Sequence, residues 1–278
     1  MGSLAEMPGL AFAVPALIAP VLFLLARWTL PDEISQRYAA AIAFAAAYLA
    51  GHLLSADDPL PSRHWHWIPF AGLVASILGP VTLARGIGIG ERTIVVLLLS
   101  LAAAWMLVPT WSSLSPPRLV WVPLLAVGMA LLALLLFPLS KRIPAPRLIG
   151  FLALSALAVA GLAAGLVSMT YATQIAIAGV ALLGAAIAAR FSARAAAGGI
   201  GLAYAWVVGG WAFVTCIDPQ QPVYVLLLAP FAPLALWCCV AGPAGKLKGF
   251  ASLAVQALAV GSVLAIAAGI AIATIEST

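Results

Sequence analysis

Charge is scarce in this chain. Asp, Glu, Lys and Arg make up 8% of its 278 residues, against about 25% in an ordinary soluble domain. Hydrophobic residues make up 65%, and the mean hydropathy is +1.16. A soluble globule cannot bury that much apolar surface, so a cytosolic or secreted domain is excluded. Disorder and a coiled coil are excluded with it. Cysteine is scarce too. Cys216, Cys238 and Cys239 are an odd count without a CxxC pair, which gives neither a disulfide framework nor a zinc site. All three are expected to be small buried apolar residues.

The chemistry-bearing motifs are also missing. There is no HExxH and no spaced metal signature, no Ser–His or Cys–His pairing, and no Asp-rich motif for phosphate or prenyl chemistry. Gly86-Ile87-Gly88-Ile89-Gly90 is not a GxGxxG and reads as a short connection, with Thr93 as the N-cap of the next helix. No Asp, Glu, Lys or Arg stands in the central part of a long apolar run. Proton-coupled transporters and pumps keep such a group there. The net charge of +5 is spread singly between apolar runs, without the dense basic patch that nucleic acid requires. Nothing points to an enzyme, and no cofactor is identified.

What is present is a series of apolar runs. Stretches free of Asp, Glu, Lys and Arg cover 7–26, 38–56, 64–84, 93–117, 119–140, 148–189, 195–217, 219–245 and 249–275. A membrane-spanning helix needs about 20 apolar residues, so eight stretches hold one helix each. The stretch 148–189 is long enough for two, turning at the polar cluster Ser168-Met169-Thr170-Tyr171-Ala172-Thr173-Gln174. The runs are continuous rather than alternating, which excludes a β-barrel. Lipid leaves the helix as the form in which each run satisfies its own backbone. The expected fold is all-α: a polytopic bundle of about ten transmembrane helices, forming a single transmembrane domain over 1–278. The first run is not expected to be a cleaved signal peptide, because Glu6 precedes it and no Lys or Arg does.

The charges were not used to place these spans, so they test them. Ten spans put only Arg63 and Arg118 on the side of the N-terminus. The other side receives Arg27, Arg37, Arg85, Arg92, Lys141, Arg142, Arg147, Arg190, Arg194, Lys246 and Lys248. Lys and Arg mark cytoplasmic loops, so both termini are expected to be extracytoplasmic in a cell membrane. Trp65, Trp67, Trp111 and Trp121 fall at outer span ends, the wet-to-apolar boundary that indole rings prefer. Spans 2–4 and 8–10 also share punctuation. Ser35, Asp58, Pro69-Phe70-Ala71 and Gly79-Pro80 recur as Ser192, Asp218, Pro230-Phe231-Ala232 and Gly242-Pro243. An even separation makes this a parallel repeat, with units 35–110 and 192–275 joined by spans 5 and 6.

Three functions stay open. The first is a permease for a small neutral or apolar solute. Its path would use the span breaks and the mid-membrane polar groups Tyr48, Pro69, Tyr204, Pro230 and Gln256. The second is a non-catalytic subunit packed against other membrane subunits. The third is an outer-face metal or haem protein, with His52, His64, His66, Asp57 and Asp58 as candidate ligands. Gly161 and Gly165 form a GxxxG on span 6, which is expected to pack inside the bundle. The ten-span reading predicts that thiols introduced into the 56–67 and 140–147 connections, in a background without the three natural cysteines, react with an impermeant maleimide from opposite faces of membrane vesicles. Labelling of both from a common face overturns the topology.

Overall fold

A computed structural model describes residues 9–55, 61, 63–82, 87–192, 197–218, 223–241 and 243–276, with backbone alone at 243, 244, 275 and 276. Asp57 and Asp58 lie outside the described residues. Every regular element among the described residues is helical. Ten segments run in chain order: α1 (Leu10–Thr29), α2 (Asp32–Ser55), α3 (Ile68–Val81), α4 (Ile89–Leu107) and α5 (Arg118–Arg142). They continue with α6 (Ala145–Leu166), α7 (Met169–Arg190), α8 (Ile200–Ile217), α9 (Tyr224–Ala241) and α10 (Gly249–Glu276).

All but α3 are long and apolar enough to cross a bilayer, so the chain is an all-α polytopic membrane protein. The α3 helix has 14 residues and is lengthened by a 3-10 turn, His64–Trp67, directly before it. The segments follow the apolar runs, with several differences at the ends, among them the start of α2 at Asp32 rather than near 38. The α6–α7 turn is only Val167 and Ser168, and the Ser168 hydroxyl caps α7 by accepting from Thr170 N at 3.2 Å. Thr170, Thr173 and Gln174 therefore belong to the helix rather than to the connection. The α4 helix starts at Ile89 instead of Thr93, with the Glu91 carboxylate accepting from Gly88 N at 3.1 Å.

Contacts at the helix ends show that the segments alternate in direction. Gly199 N donates to Arg37 O at 3.2 Å. Arg92 donates to Thr82 O at 2.9 Å and stacks on Phe137, as does Lys141. Arg27 donates to Ser192 and pairs with Asp32, and Arg142 lies 5.3 Å from the Trp237 ring. These bonds gather Arg27, Arg37, Arg92, Lys141 and Arg142 at one end of the bundle, the basic end. Arg63 and Arg118 lie at the other, over Trp65 and Trp105. For these described residues the folded chain keeps the separation read from the sequence.

The centre of the bundle is α8, 94% of whose span is buried, followed by α7 at 72%. Peripheral α4 and α10 are 22% and 17% buried, and their outer faces present Leu98, Leu258 and Ile266 to the acyl chains. Proline governs the close contacts. A proline at position i removes the donor that the carbonyl at i−4 would use. Pro15 and Pro20 so release Ala11 O and Ala16 O in α1. Gly51 of α2 and Gly184 of α7 sit against these carbonyls: a Cβ on either would lie 3.0 Å from Ala11 O or Ala16 O. In α9, Pro230 and Pro233 impose 3-10 geometry over Ala229–Ala235. Ala229 O, whose helical donor would be residue 233, accepts from Ser155 Oγ instead, and Pro230 O accepts from Tyr204 OH at 3.1 Å.

Two expectations about small residues are corrected. Gly161 and Gly165 face outward, with nothing within 4 Å of an added Cβ, so this GxxxG makes no internal contact. Cys238 is exposed, while Cys216 and Cys239 are buried. In Gly199 an added Cβ would lie 2.6 Å from Arg37 O and 2.3 Å from Pro80 Cγ. Overpacking of this kind costs about 1–3 kcal/mol or more. Gly199→Ala is therefore expected to lower the thermal midpoint in detergent by several degrees or abolish the monodisperse species on sizing, while Gly161→Ala leaves both unchanged.

Candidate functional site

The end opposite the basic end holds the densest polar and aromatic cluster of the described residues. Its elements are the α2 C-terminus, the His64–Trp67 turn, the α7 N-terminus and the α8 C-terminus. His52 is wholly buried, and its Nδ1 lies 2.9 Å from Gln174 Oε1. Gln174 Nε2 donates to Ser55 Oγ at 2.8 Å, and Ser55 Oγ donates to His52 O at 3.1 Å. This closed ring makes the Gln174 oxygen the acceptor, so His52 carries its proton on Nδ1. His52 Nε2 is left as a buried lone pair with no partner among the described residues.

His66 faces His52, with ring centroids 6.4 Å apart. Its Nδ1 accepts from Arg63 N at 3.4 Å. His64 turns the other way and meets Trp111 edge-on at 5.2 Å. Burial pushes the His64 imidazole below its ordinary pKa, and the Asp218 carboxylate pulls it part of the way back.

An aromatic stack continues inward. Trp65 lies 5.6 Å from Trp211 and 6.0 Å from Tyr171, and Trp211 donates through Nε1 to Tyr48 OH. Tyr171 OH donates to Asp218 Oδ2 at 2.8 Å. Two clefts of about 360 and 490 Å³ open over the stack, and both are walled by Arg63, Trp65, Tyr171 and Asp218. Ser168 and Thr170 also line the first, and His64, Thr110 and Trp111 the second. Among the described residues, one cation, one anion, hydroxyls and aromatic faces thus wall the two clefts. Such a surface suits a small solute that accepts and donates hydrogen bonds and carries no net charge.

The candidate ligands are only partly united. His52 and His66 come together, His64 does not join them, and Asp57 and Asp58 fall outside the described residues. Among the described residues no group of three or more His, Cys, Asp or Glu is placed to hold a metal ion. The candidate path residues divide as well. Tyr204 and Pro230 meet at their hydrogen bond, and Pro230 lines an apolar cavity of about 180 Å³ between α5, α8 and α9. A π-turn, Ala205–Gly209, interrupts α8 at this cavity. Tyr48 belongs to the cleft end through Trp211, and Pro69 is buried in the first turn of α3. Gln256 donates to Ser252 on its own helix at 3.3 Å.

Trp211, Gln174 and Tyr171 are among the residues that sequence reasoning did not assign to a site, as are Arg63, Trp65 and Asp218 of the clefts. The partners of the first three lie 163, 122 and 47 positions away, in Tyr48, His52 and Asp218. No local spacing signals such pairs. No known protein family, curated protein or solved structure matches the chain.

Removing one partner of a buried hydrogen bond costs about 1–3 kcal/mol. Gln174→Leu strands both His52 Nδ1 and Ser55 and is expected to lower the thermal midpoint by several degrees. Thr173→Leu, on the exposed side of the same turn, is expected to leave it unchanged.

Proposed function

We propose that the protein is a permease for a small neutral solute, which enters through the cleft walled by Arg63, Trp65, Tyr171 and Asp218. The cleft itself carries this reading: it is a balanced, hydrogen-bonding opening at one end of a bundle otherwise walled by apolar residues. The spans support it by what their described middles hold, which is hydroxyl, indole and carbonyl groups rather than ions. A neutral solute needs no counter-charge at the bilayer midplane. Below the cleft the Trp65–Trp211–Tyr48 stack closes the way inward. The π-turn of α8 and the 3-10 segment of α9 supply the irregular backbone that transporters place beside a solute path.

In this reading the basic end faces the cytoplasm of a cell membrane and the cleft faces outward, because Lys and Arg are retained inside. The units 35–110 and 192–275 are proposed as a parallel duplication. In support, the segments carrying Pro69 and Pro230 both begin with 3-10 turns, His64–Trp67 and Tyr224–Leu227.

Purified protein in proteoliposomes, given a panel of radiolabelled neutral polyols, amides and sugars, is expected to show saturable uptake of at least one compound. Asp218→Asn and Tyr171→Phe are expected to reduce that uptake about ten-fold or more, and Lys141→Gln to leave it intact. Uptake at the protein-free level for the whole panel, by folded and monodisperse protein, overturns the permease. The non-catalytic subunit of a larger membrane assembly would then stand in its place.

A further inference from the structure

We infer that the groove between α6, α7 and α10 at the basic end binds one anionic phospholipid, with its headgroup on Arg147 and Arg190. The groove measures about 540 Å³, within the size range of small-molecule sites. Its walls below the arginines are apolar, from Leu154 of α6, Leu183 and Ile187 of α7 and Leu253 of α10. Among the described residues no carboxylate lines it.

The arginines distinguish this groove from ordinary lipid-facing surface. Several other cations at the same end are occupied. Arg27 is held by Asp32, Ser35 and Ser192, Arg92 by Thr82 O, Lys141 by the Phe137 ring and Arg142 by the Trp237 ring. Among the described residues no hydrogen bond or ion pair engages the Arg147 or Arg190 guanidinium, yet both line one groove. Guanidinium groups present forked donors that match phosphate oxygens. Basic pockets between spans at the positively charged face are the usual seats of anionic headgroups.

The apolar floor selects a lipid over a soluble anion. Inorganic phosphate gains nothing from Leu183, Ile187 or Leu253, whereas an acyl chain covers all three. Gly150 keeps the groove open. It lines the groove, and an added Cβ there would meet nothing within 4 Å. A larger side chain at 150 would thus fill the groove without displacing the fold.

The test is native mass spectrometry of the delipidated full-length protein in detergent. It is titrated with phosphatidylglycerol, with phosphatidylcholine of the same chains, and with inorganic phosphate. Wild-type protein is expected to retain one phosphatidylglycerol in preference to phosphatidylcholine, undisturbed by millimolar phosphate. The double variant Arg147→Gln/Arg190→Gln should weaken that binding on the order of ten-fold or more. Gly150→Leu should weaken it comparably with both charges in place. Lys141→Gln/Arg142→Gln, an equal loss of charge at the same end, should leave it unchanged. Equal retention of the two lipids by wild-type protein overturns the proposal. So does a loss in the Arg147/Arg190 variant no larger than that in the Lys141/Arg142 variant.

Discussion

Inside a bilayer every peptide N–H and C=O must find its partner within the protein, and the prolines inside α1 and α9 place that demand on the neighbouring helices. Two devices are visible where helices are broken. In α1 the carbonyls released by Pro15 and Pro20 are covered by the bare Cα of Gly51 and Gly184, which brings α2 and α7 to close range. Weak Cα–H···O contacts are the natural consolation for a carbonyl in that position. In α9 the carbonyls of Ala229 and Pro230 take hydroxyl donors from Ser155 of α6 and Tyr204 of α8. The broken helices are thereby tied to their neighbours, α1 to α2 and α7, and α9 to α6 and α8.

The two ends of the bundle are built differently. At the basic end, backbone meets backbone around Gly199, Arg37 and Pro80, and the cations are mostly folded onto rings and carbonyls. At the opposite end, side chains meet side chains. The rings of Trp65, Trp211 and Tyr171 pack together, and polar atoms of His52, Gln174, Ser55 and Asp218 fill the spaces between helices. Side-chain packing can rearrange without unmaking helices, and backbone packing cannot. In the permease we propose, the cleft end is the one that admits the solute, and the basic end is where the bundle is fastened.

Much of the fold was legible in the chain because hydrophobic length and charge placement are local properties. The ten segments, the hairpin after Leu166 and the isolation of Arg63 and Arg118 from the other cations all follow from them. The packing was less legible. In water an apolar stripe marks the side of a helix that faces the core, but lipid is as apolar as the core, so the stripe fades. Gly161 and Gly165 show the consequence: their spacing fits a helix interface, and they face outward. The site suffered similarly. Gln174 lay in a cluster read as a turn, whereas the helix begins at Met169 and carries Gln174 inward to His52. The bond between Ser155 and Ala229 O had a readable half, since Pro233 leaves Ala229 without its donor. The identity of the donor did not follow from the sequence.

The 3-10 stretch of α9 also sets a length. Of the 18 residues in Tyr224–Ala241, the turns Tyr224–Leu227 and Ala229–Ala235 hold 4 and 7. Such turns rise about 2.0 Å per residue, against about 1.5 Å in an α-helix. The segment is therefore about 5 Å longer than the same residues wound as α-helix, enough to cross a hydrocarbon layer of about 30 Å. Stretching lets a short stretch of chain do the work of a long one, and it makes Pro230 and Pro233 a gauge of bilayer thickness. A membrane that thickened around this protein would outreach α9 before it outreached α5 and α10, which have 25 and 28 residues.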